Sequence, residues 1–428
     1  MMSIKLPVYN QARDQAALIG IPLIGLSGVQ VLGAEINEQG ELIIEVESTV
    51  KGTPCRKCQQ TANKGHGHDE LRQVRHLSVF GLKTYVRFRP RRWKCPHCTP
   101  DVTTTQPVAW CLPGSPHTQA FEEHLLLQLV NSTVEDVSRK AGVTYDEVLG
   151  IIDRHVGTEV DWAEFDQLEV IGIDEIALQK GHDDYVVIVT ARLKEGQVKL
   201  LGVLPDRTKP SLVKFLRTIP LSLRQTIQTV CTDMWAAYLQ AVALVLPWAK
   251  VVVDRFHVAQ KYHQAADKLR QKELKRLKAE LPETEYQQLK GSMWAFRKQP
   301  ADLSPAETEV LARLLEYSPL LRVAYDLRQK LTLIFDQNLT KTEATQKIKA
   351  WGQDVQQTGL TCFDTFLTTL TNHFDQITNY FINRHNSGFV EGFNNKIKVL
   401  KRRCYGLLNL NRLFQRLFLD LEGYRLFA

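Results

Sequence analysis

Three acidic residues and two close cysteine pairs are the positions in this chain whose types and spacing suit chemistry. Asp174 lies in the apolar run "IGIDEIAL", Asp233 ends the run "VCTDMW", and Glu391 opens "EGFNNKIKVLKRR". A carboxylate inside an apolar strand is costly to bury without a partner or a metal ion. Two carboxylates held side by side repel unless a divalent cation joins them. Three carboxylates holding two Mg2+ (or Mn2+) ions can activate a water or a 3′-hydroxyl and stabilise the leaving oxygen of a phosphodiester.

The setting of Glu391 fits that chemistry. Wound as a helix, Glu391, Asn395, Lys398 and Arg402 share one stripe, and Phe389, Phe393, Ile397 and Leu400 lie opposite. Five basic residues fall between Lys396 and Arg403. An ordinary solvated face would also explain the pattern. The sharper reading is a carboxylate facing phosphate across a cation, with Asn395, Lys398 and Arg402 holding the DNA backbone.

The cysteine pairs are "CRKC" (Cys55, Cys58) and "CPHC" (Cys95, Cys98). Two C-x-x-C knuckles can close four thiolates around one tetrahedral Zn2+. The gap between them is 36 residues, so it must hold at least a hairpin. The other cysteines, Cys111, Cys231, Cys362 and Cys404, are scattered. Paired knuckles with single leftovers fit metal binding in a reducing cytoplasm rather than a disulfide framework. The histidines nearby, His66, His68, His76 and His97, read as surface residues. Arg87, Arg89, Arg91 and Arg92 stand just before the second knuckle, where a small metal-stapled module meets phosphate.

These positions need elements to hold them. Residues 27–110 read as short strands, with "NEQG" turning one strand into "ELIIEVEST". "TVEDVSRKAGVTYDEVLGIIDRHV" reads as two short helices. Gly142 ends the first, and Thr144 caps the second with Glu147 three residues on. That is a helix-turn-helix, whose second helix would bring Thr144 and Tyr145 to a DNA groove. From residue 167, three strands, a helix, a strand, a helix and a strand follow, the order of an RNase H-like α/β domain. In that fold the first and fourth strands are neighbours, so Asp174 and Asp233 meet, while Glu175 points to the other face. Asp254 and His257, in "VVVDRFHVAQKY", end the fifth strand. Ligand, DNA contact and helix cap all remain open for them, with substrate contact preferred.

The expected boundaries are a zinc-ribbon-containing domain over 1–112, a helix-turn-helix over 113–160, an RNase H-like catalytic domain over 161–260 and 381–428, and a helical insertion over 261–380. The chain has 428 residues and a net charge of +7, compatible with a nucleic-acid partner. The apolar stretch "AALIGIPLIGLSGVQVLGAE" is interrupted by Pro22, Ser27 and Gln30, so strands are expected there rather than a targeting or membrane segment.

"IGIDEIALQKGH", "CTDMWAAY", "DRFHVAQKY" and "NSGFVEGFNNKIKVLKRRCYG" together resemble the DDE transposases of the ISL-three family of bacterial insertion sequences. The resemblance spans nearly the whole chain. It implies Asp174, Asp233 and Glu391 as the catalytic triad and magnesium as its cofactor. It further implies double-stranded DNA, element ends and target, as partner, at least a dimer because two ends must meet, and a place at the bacterial nucleoid. One departure is visible: "CRKCQQ" has Gln59 where such ribbons often carry glycine, so Gln59 must accept a tight turn. Two other functions remain open: a regulator with a dead nuclease fold, and an RNase H-like nuclease that cuts without joining.

Overall fold

The computed structural model describes residues 25–177, 185–194, 196–384, 388–404 and 409–428, with backbone alone for 388–391, 393 and 394. The chain divides into two compact units. One comprises the N-terminal residues to Val156 with Leu419–Ala428, the other Gly157–Phe418.

In the first unit, β1 (Val29–Ile36) and β2 (Leu42–Ser48) form a hairpin whose turn is tied by Asn37, which accepts the Gln39 and Glu41 amides. Between them and β6 (Arg72–Val79) and β7 (Leu82–Phe88) come the short strands β3 (Thr53–Pro54), β4 (Thr61–Ala62) and β5 (Lys64–His68). The larger sheet has the order β1-β2-β7-β6. Its inward side chains, Val31, Ile44, Val46, Val74, Val86 and Phe88, close on Trp110. A separate sheet, β5 with β8 (Arg91–Lys94) and β9 (Thr103–Thr105), carries the second cysteine knuckle, and β3 and β4 carry the first.

Three helices follow: α1 (Gln119–Leu129), α2 (Val134–Ala141) and α3 (Tyr145–His155). The expected punctuation is present. Gly142 ends α2 at φ 67°, and Thr144 and Glu147 form a reciprocal capping box at the start of α3. Val148, Ile151 and Ile152 of α3 are buried, as are Val137 of α2 and Leu125 and Leu129 of α1, and the three helices pack on one another. Beneath them sits a buried carboxylate. Glu122 accepts Ser115 Oγ at 2.6 Å, pairs with His155 Nε2 at 2.7 Å and Arg154, and lies 3.6 Å from His117 Nδ1. Burial alone would raise its carboxyl. His117, His155, Arg154 and Ser115 outweigh that and hold it far below the usual carboxylate range.

A folded-state value below the unfolded one, near 4.3, gives stability that is complete above about pH 5 and drains as pH falls toward the folded value. Glu122→Gln is therefore expected to destabilise the three-helix unit by about 3 kcal/mol at pH 7, because it removes the buried charge that Arg154, His155 and Ser115 are arranged around. It should also flatten the acid limb of the unfolding curve, measured by thermal melts across pH. An unchanged acid limb would mean that the network contributes nothing.

The last ten residues differ from the expected boundary at 428. They belong to this first unit because Asp420 accepts the Asn131 amide at 2.9 Å and Gly423 lies against Val130, where a Cβ would come within 2.4 Å.

The second unit is built on β10 (Val170–Ala177), β11 (Tyr185–Arg192), β12 (Val198–Leu204), β13 (Thr229–Thr232) and β14 (Lys250–Val253), in the order β12-β11-β10-β13-β14. The first three are antiparallel, and β13 and β14 run parallel to β10. This is the RNase H-like order expected from sequence. Ile171 and Ile173 of β10 pack with α4 (Lys209–Thr218) and α5 (Ala236–Val245) through Leu212, Leu216, Tyr238 and Val242. Val170 and Cys231 belong to the opposite face and join the core of the helical insertion. That insertion opens with α6 (Arg255–Glu280) and continues through α7 (Pro305–Tyr317), α8 (Pro319–Asp336), α9 (Lys341–Gln357) and α10 (Asp364–Asn372). Trp351 is its largest fully buried side chain, its indole N–H donating to Leu327 O at 2.8 Å. Two helices complete the described chain, α11 (Gly388–Arg403) and α12 (Leu410–Phe427). No described helix is long and apolar enough to cross a membrane.

Candidate active site

The alternation of β10 decides which carboxylates meet. Its ladder with β13 pairs Val170 with Thr229, Ile171 with Val230 and Gly172 with Cys231. The observed pairing ends there; continued by two residues, the same register would set Asp174 of β10 opposite Asp233, which directly follows β13. Neighbouring strands lie about 4.8 Å apart, and register partners point to the same face. That face is the one shared with α6. Glu175 points the other way, to α5, where it accepts Tyr238 Oη at 3.2 Å and Arg207 at 3.3 Å.

Asp233 accepts the Trp235 amide at 2.9 Å. Burial raises its carboxyl above the usual range, and the nearby His257, Lys261 and Arg207 only partly pull it back. A half-buried carboxylate pushed toward protonation is one that a cation would relieve. The phenol of Tyr238 is raised by burial first, then by Glu175, Asp233 and Asp174. Arg207 is sandwiched between Tyr185 and Trp235, 4.5 and 4.7 Å from the ring centres. The sequence reading missed Arg207, Tyr238 and Lys261. Only Trp235, set two residues after Asp233, offered a local signal.

Asp254 stands beside Asp233, because β13 and β14 pair Thr232 with Val253. It is buried, and its carboxylate accepts the Phe256 amide at 2.9 Å as the N-cap of α6. Of the three roles left open by sequence, the cap is the observed one. His257 lies in the first turn of α6, half-buried on the Asp233 side.

Glu391 lies in α11, and its side chain is outside the described residues, as are those of Phe389 and Phe393. Further along α11, Ile397 and Leu400 are fully buried, while Asn395, Lys398 and Arg402 are exposed, as the helical winding requires. Lys401 donates to Ala177 O and ties the helix to the end of β10.

In the first unit the four thiols converge. The sulfurs of Cys55, Cys58, Cys95 and Cys98 lie within 4.8 Å of one another, with 3.8 Å between Cys55 and Cys98 and 3.6 Å between Cys58 and Cys95. The Lys57 amide donates to Cys55 Sγ and the His97 amide to Cys95 Sγ, both at 3.4 Å. The amides of Cys58 and Lys57 draw the Cys55 thiol down to about 6, whereas burial pushes Cys98 up to about 12. Gln59 takes the tight turn at φ 60°. The basic run before the second knuckle is partly neutralised at home. Arg87 pairs with Glu35 at 3.1 Å and Arg91 with Glu47 at 2.5 Å. Arg89 is exposed and Arg92 half-buried. Thr144 uses its hydroxyl in the capping box, and Tyr145 beside it is 47% exposed.

A family model described as "Transposase" matches residues 171–417, more than half of the chain. The chain belongs to the ISL3 family of DDE transposases. Two further models match this transposase ahead of that segment: the zinc finger of the IS204/IS1001/IS1096/IS1165 transposases over 51–98, and the helix-turn-helix domain of transposase family ISL3 over 107–156. It is 27% identical over 388 residues to the transposase for insertion sequence element IS1001 of Bordetella parapertussis, covering 89% of this chain and 93% of that one. It is 24% identical over 394 residues to the transposase for IS1557 of Mycobacterium tuberculosis, covering 86% of each. A chain of the Drosophila P element transposase strand transfer complex aligns with a TM-score of 0.39 at 11% identity, over 71% of this transposase and 91% of that chain. At that score it adds nothing to the assignment.

Proposed function

We propose that this transposase binds the terminal inverted repeats of its own element through the zinc ribbon and helix-turn-helix. It then cuts and joins DNA at a site made by Asp174, Asp233 and Glu391. The observation that supports the reading is the parallel pairing of β10 with β13, whose register, continued by two residues, leads to Asp174 and Asp233, with Asp233 raised by burial. That donor set suits Mg2+ or Mn2+, hard cations that take carboxylate oxygens. Such an ion, when bound, stabilises negative charge on the reacting phosphodiester oxygens. The protein's part is to hold Asp174 and Asp233 on the inner strands of a rigid sheet, to bring Glu391 in on α11, and to keep His257 and Lys261 near the phosphate.

The four thiols suit one structural Zn2+, since cysteine sulfur is its preferred ligand and four complete a closed site. Cys55, Cys58, Cys95 and Cys98 would hold it and fix β3, β4, β8 and β9 around one point. Tyr145, the exposed Arg89 and the half-buried Arg92 are the groups that would meet DNA in that unit. Joining requires two ends in one complex, so the active form is at least a dimer.

The test is incubation with end-labelled duplex carrying element termini, with and without magnesium. Nicks at the termini in magnesium alone support the reading, and cleavage equally frequent on random duplex contradicts it.

The stripe on α11 gives a separate expectation. The helix rises about 1.5 Å per residue, so Lys398 stands roughly 10 Å and Arg402 roughly 16 Å beyond Glu391. These reach phosphates one to three nucleotides from the scissile one. Backbone contacts position DNA without reading sequence. Replacing Lys398 and Arg402 together with alanine should weaken binding to every sequence and flatten the salt dependence of log affinity by up to about 0.9 per lost contact. Preference for element ends should stay nearly constant. An unaltered slope would make the stripe a solvated face.

A further inference from the structure

The helix α6 segregates its charges. Its acids before the last turn face inward and are neutralised there. Asp267 is bound by Arg270 at 2.7 Å, Arg297 at 2.7 Å and Gln271 at 3.1 Å, and Glu273 by Arg276 at 2.8 Å and Ser318 at 2.7 Å. Val258, Tyr262, Ala266 and Leu277 fill the rest of the buried side. Lys261, Lys268, Lys272 and Lys275 are all exposed. Their spacings of seven, four and three residues are those of one helical stripe, about 21 Å long. An ordinary solvated helix mixes both signs on its outer face. Here the carboxylates are withdrawn and paired, so the outer stripe carries one sign only. The stripe begins at Lys261, which acts on Asp233, and runs away from it on a helix whose entry is fixed by the Asp254 cap.

The geometry points to the lysine stripe of α6 as a track for the phosphate backbone of duplex DNA leaving the catalytic carboxylates, a partner surface in the insertion itself. This rests on the phosphoryl-transfer reading for its starting point at Asp233. Successive phosphates on one strand lie about 6–7 Å apart, so the stripe spans about three of them. Charge complementarity selects the occupant, because compact ammonium groups match phosphates as point charges.

The test is the triple variant Lys268→Gln, Lys272→Gln, Lys275→Gln, which removes charge at exposed sites while keeping good helix formers. Its control is Lys290→Gln, Lys347→Gln, Lys349→Gln, exposed lysines elsewhere in the insertion with the same loss of charge. Full-length proteins are titrated with three duplexes across a salt series: one carrying an element end, one of random target sequence, and one of a few base pairs. The stripe variant should lose about 2–3 from the slope of log affinity against log salt, with binding roughly a hundredfold weaker at 0.1 M salt. The control should keep its slope, and the shortest duplex should show no difference. Loss on the end duplex alone assigns the track to the element's own DNA, and loss on the random duplex alone assigns it to target DNA. A wild-type slope in the stripe variant, or an equal loss in the control, overturns the proposal. Should the wild-type protein show no preference for element ends, the end-binding reading fails by itself. The slope on random duplex still decides the stripe.

Discussion

Asp174→Ala, Asp233→Ala and Glu391→Ala are each expected to reduce cleavage and strand transfer by at least roughly a thousandfold. That is the loss of about 4 kcal/mol of transition-state stabilisation when a cation site loses a ligand. Binding to element ends should persist, because it is assigned to the other unit. The aspartates carry a second signature. Asp233 is raised by burial in the protein without its metal. Asp233→Asn should therefore leave the melting temperature of the metal-free protein unchanged or higher, while magnesium stabilises the wild type and not the variant. A residue with only a structural role would show the reverse. Asp254→Asn is the control, since asparagine caps a helix as well as aspartate does. An inert Asp254→Asn beside an active Asp233→Ala would move the assignment to Asp254.

Cys95→Ser carries the second large effect. The four thiols sit in a module with little else at its centre, where Ala62, Trp93 and half-buried Val102 are the apolar company. A core so small cannot hold the ribbon without its metal, whose binding free energy is folding free energy. The variant should lose the one zinc per chain measured by elemental analysis, unfold the ribbon, and lose recognition of element ends. The sheet of the second unit should still melt as in the wild type. Purified wild-type protein with no zinc and four free thiols would contradict this directly.

The parts of the architecture legible in the sequence were those set by local rules. The capping box at Thr144 and Glu147, the Gly142 stop and the tight turn at Gln59 follow from backbone chemistry within four residues. The strand order of the second unit follows from the succession of strands and helices, which for parallel neighbours leaves few topologies. The proposed pairing of Asp174 with Asp233 extends that topology by alternation. Non-local contacts were not legible. Glu35 and Glu47 neutralise Arg87 and Arg91 only because β2 lies parallel to β7, a pairing with no sequence signature. The return of Asp420 and Gly423 to the first unit is carried by long-range contacts such as the Asn131 amide and the close approach to Val130. Arg207 entered the site through its stacking between Tyr185 and Trp235, which lie 50 residues apart in the chain.

The proposed carboxylate site both cuts and joins DNA. This is tested most directly by supplying purified protein with pre-cut element ends and a supercoiled target plasmid, in magnesium or in chelator. The expected result is ends covalently joined to the plasmid in magnesium alone, with none formed by Asp233→Ala. Magnesium-dependent cutting with no joined product would instead describe a nuclease. Binding to the ends with neither cutting nor joining would describe a regulator, and either outcome would contradict the account.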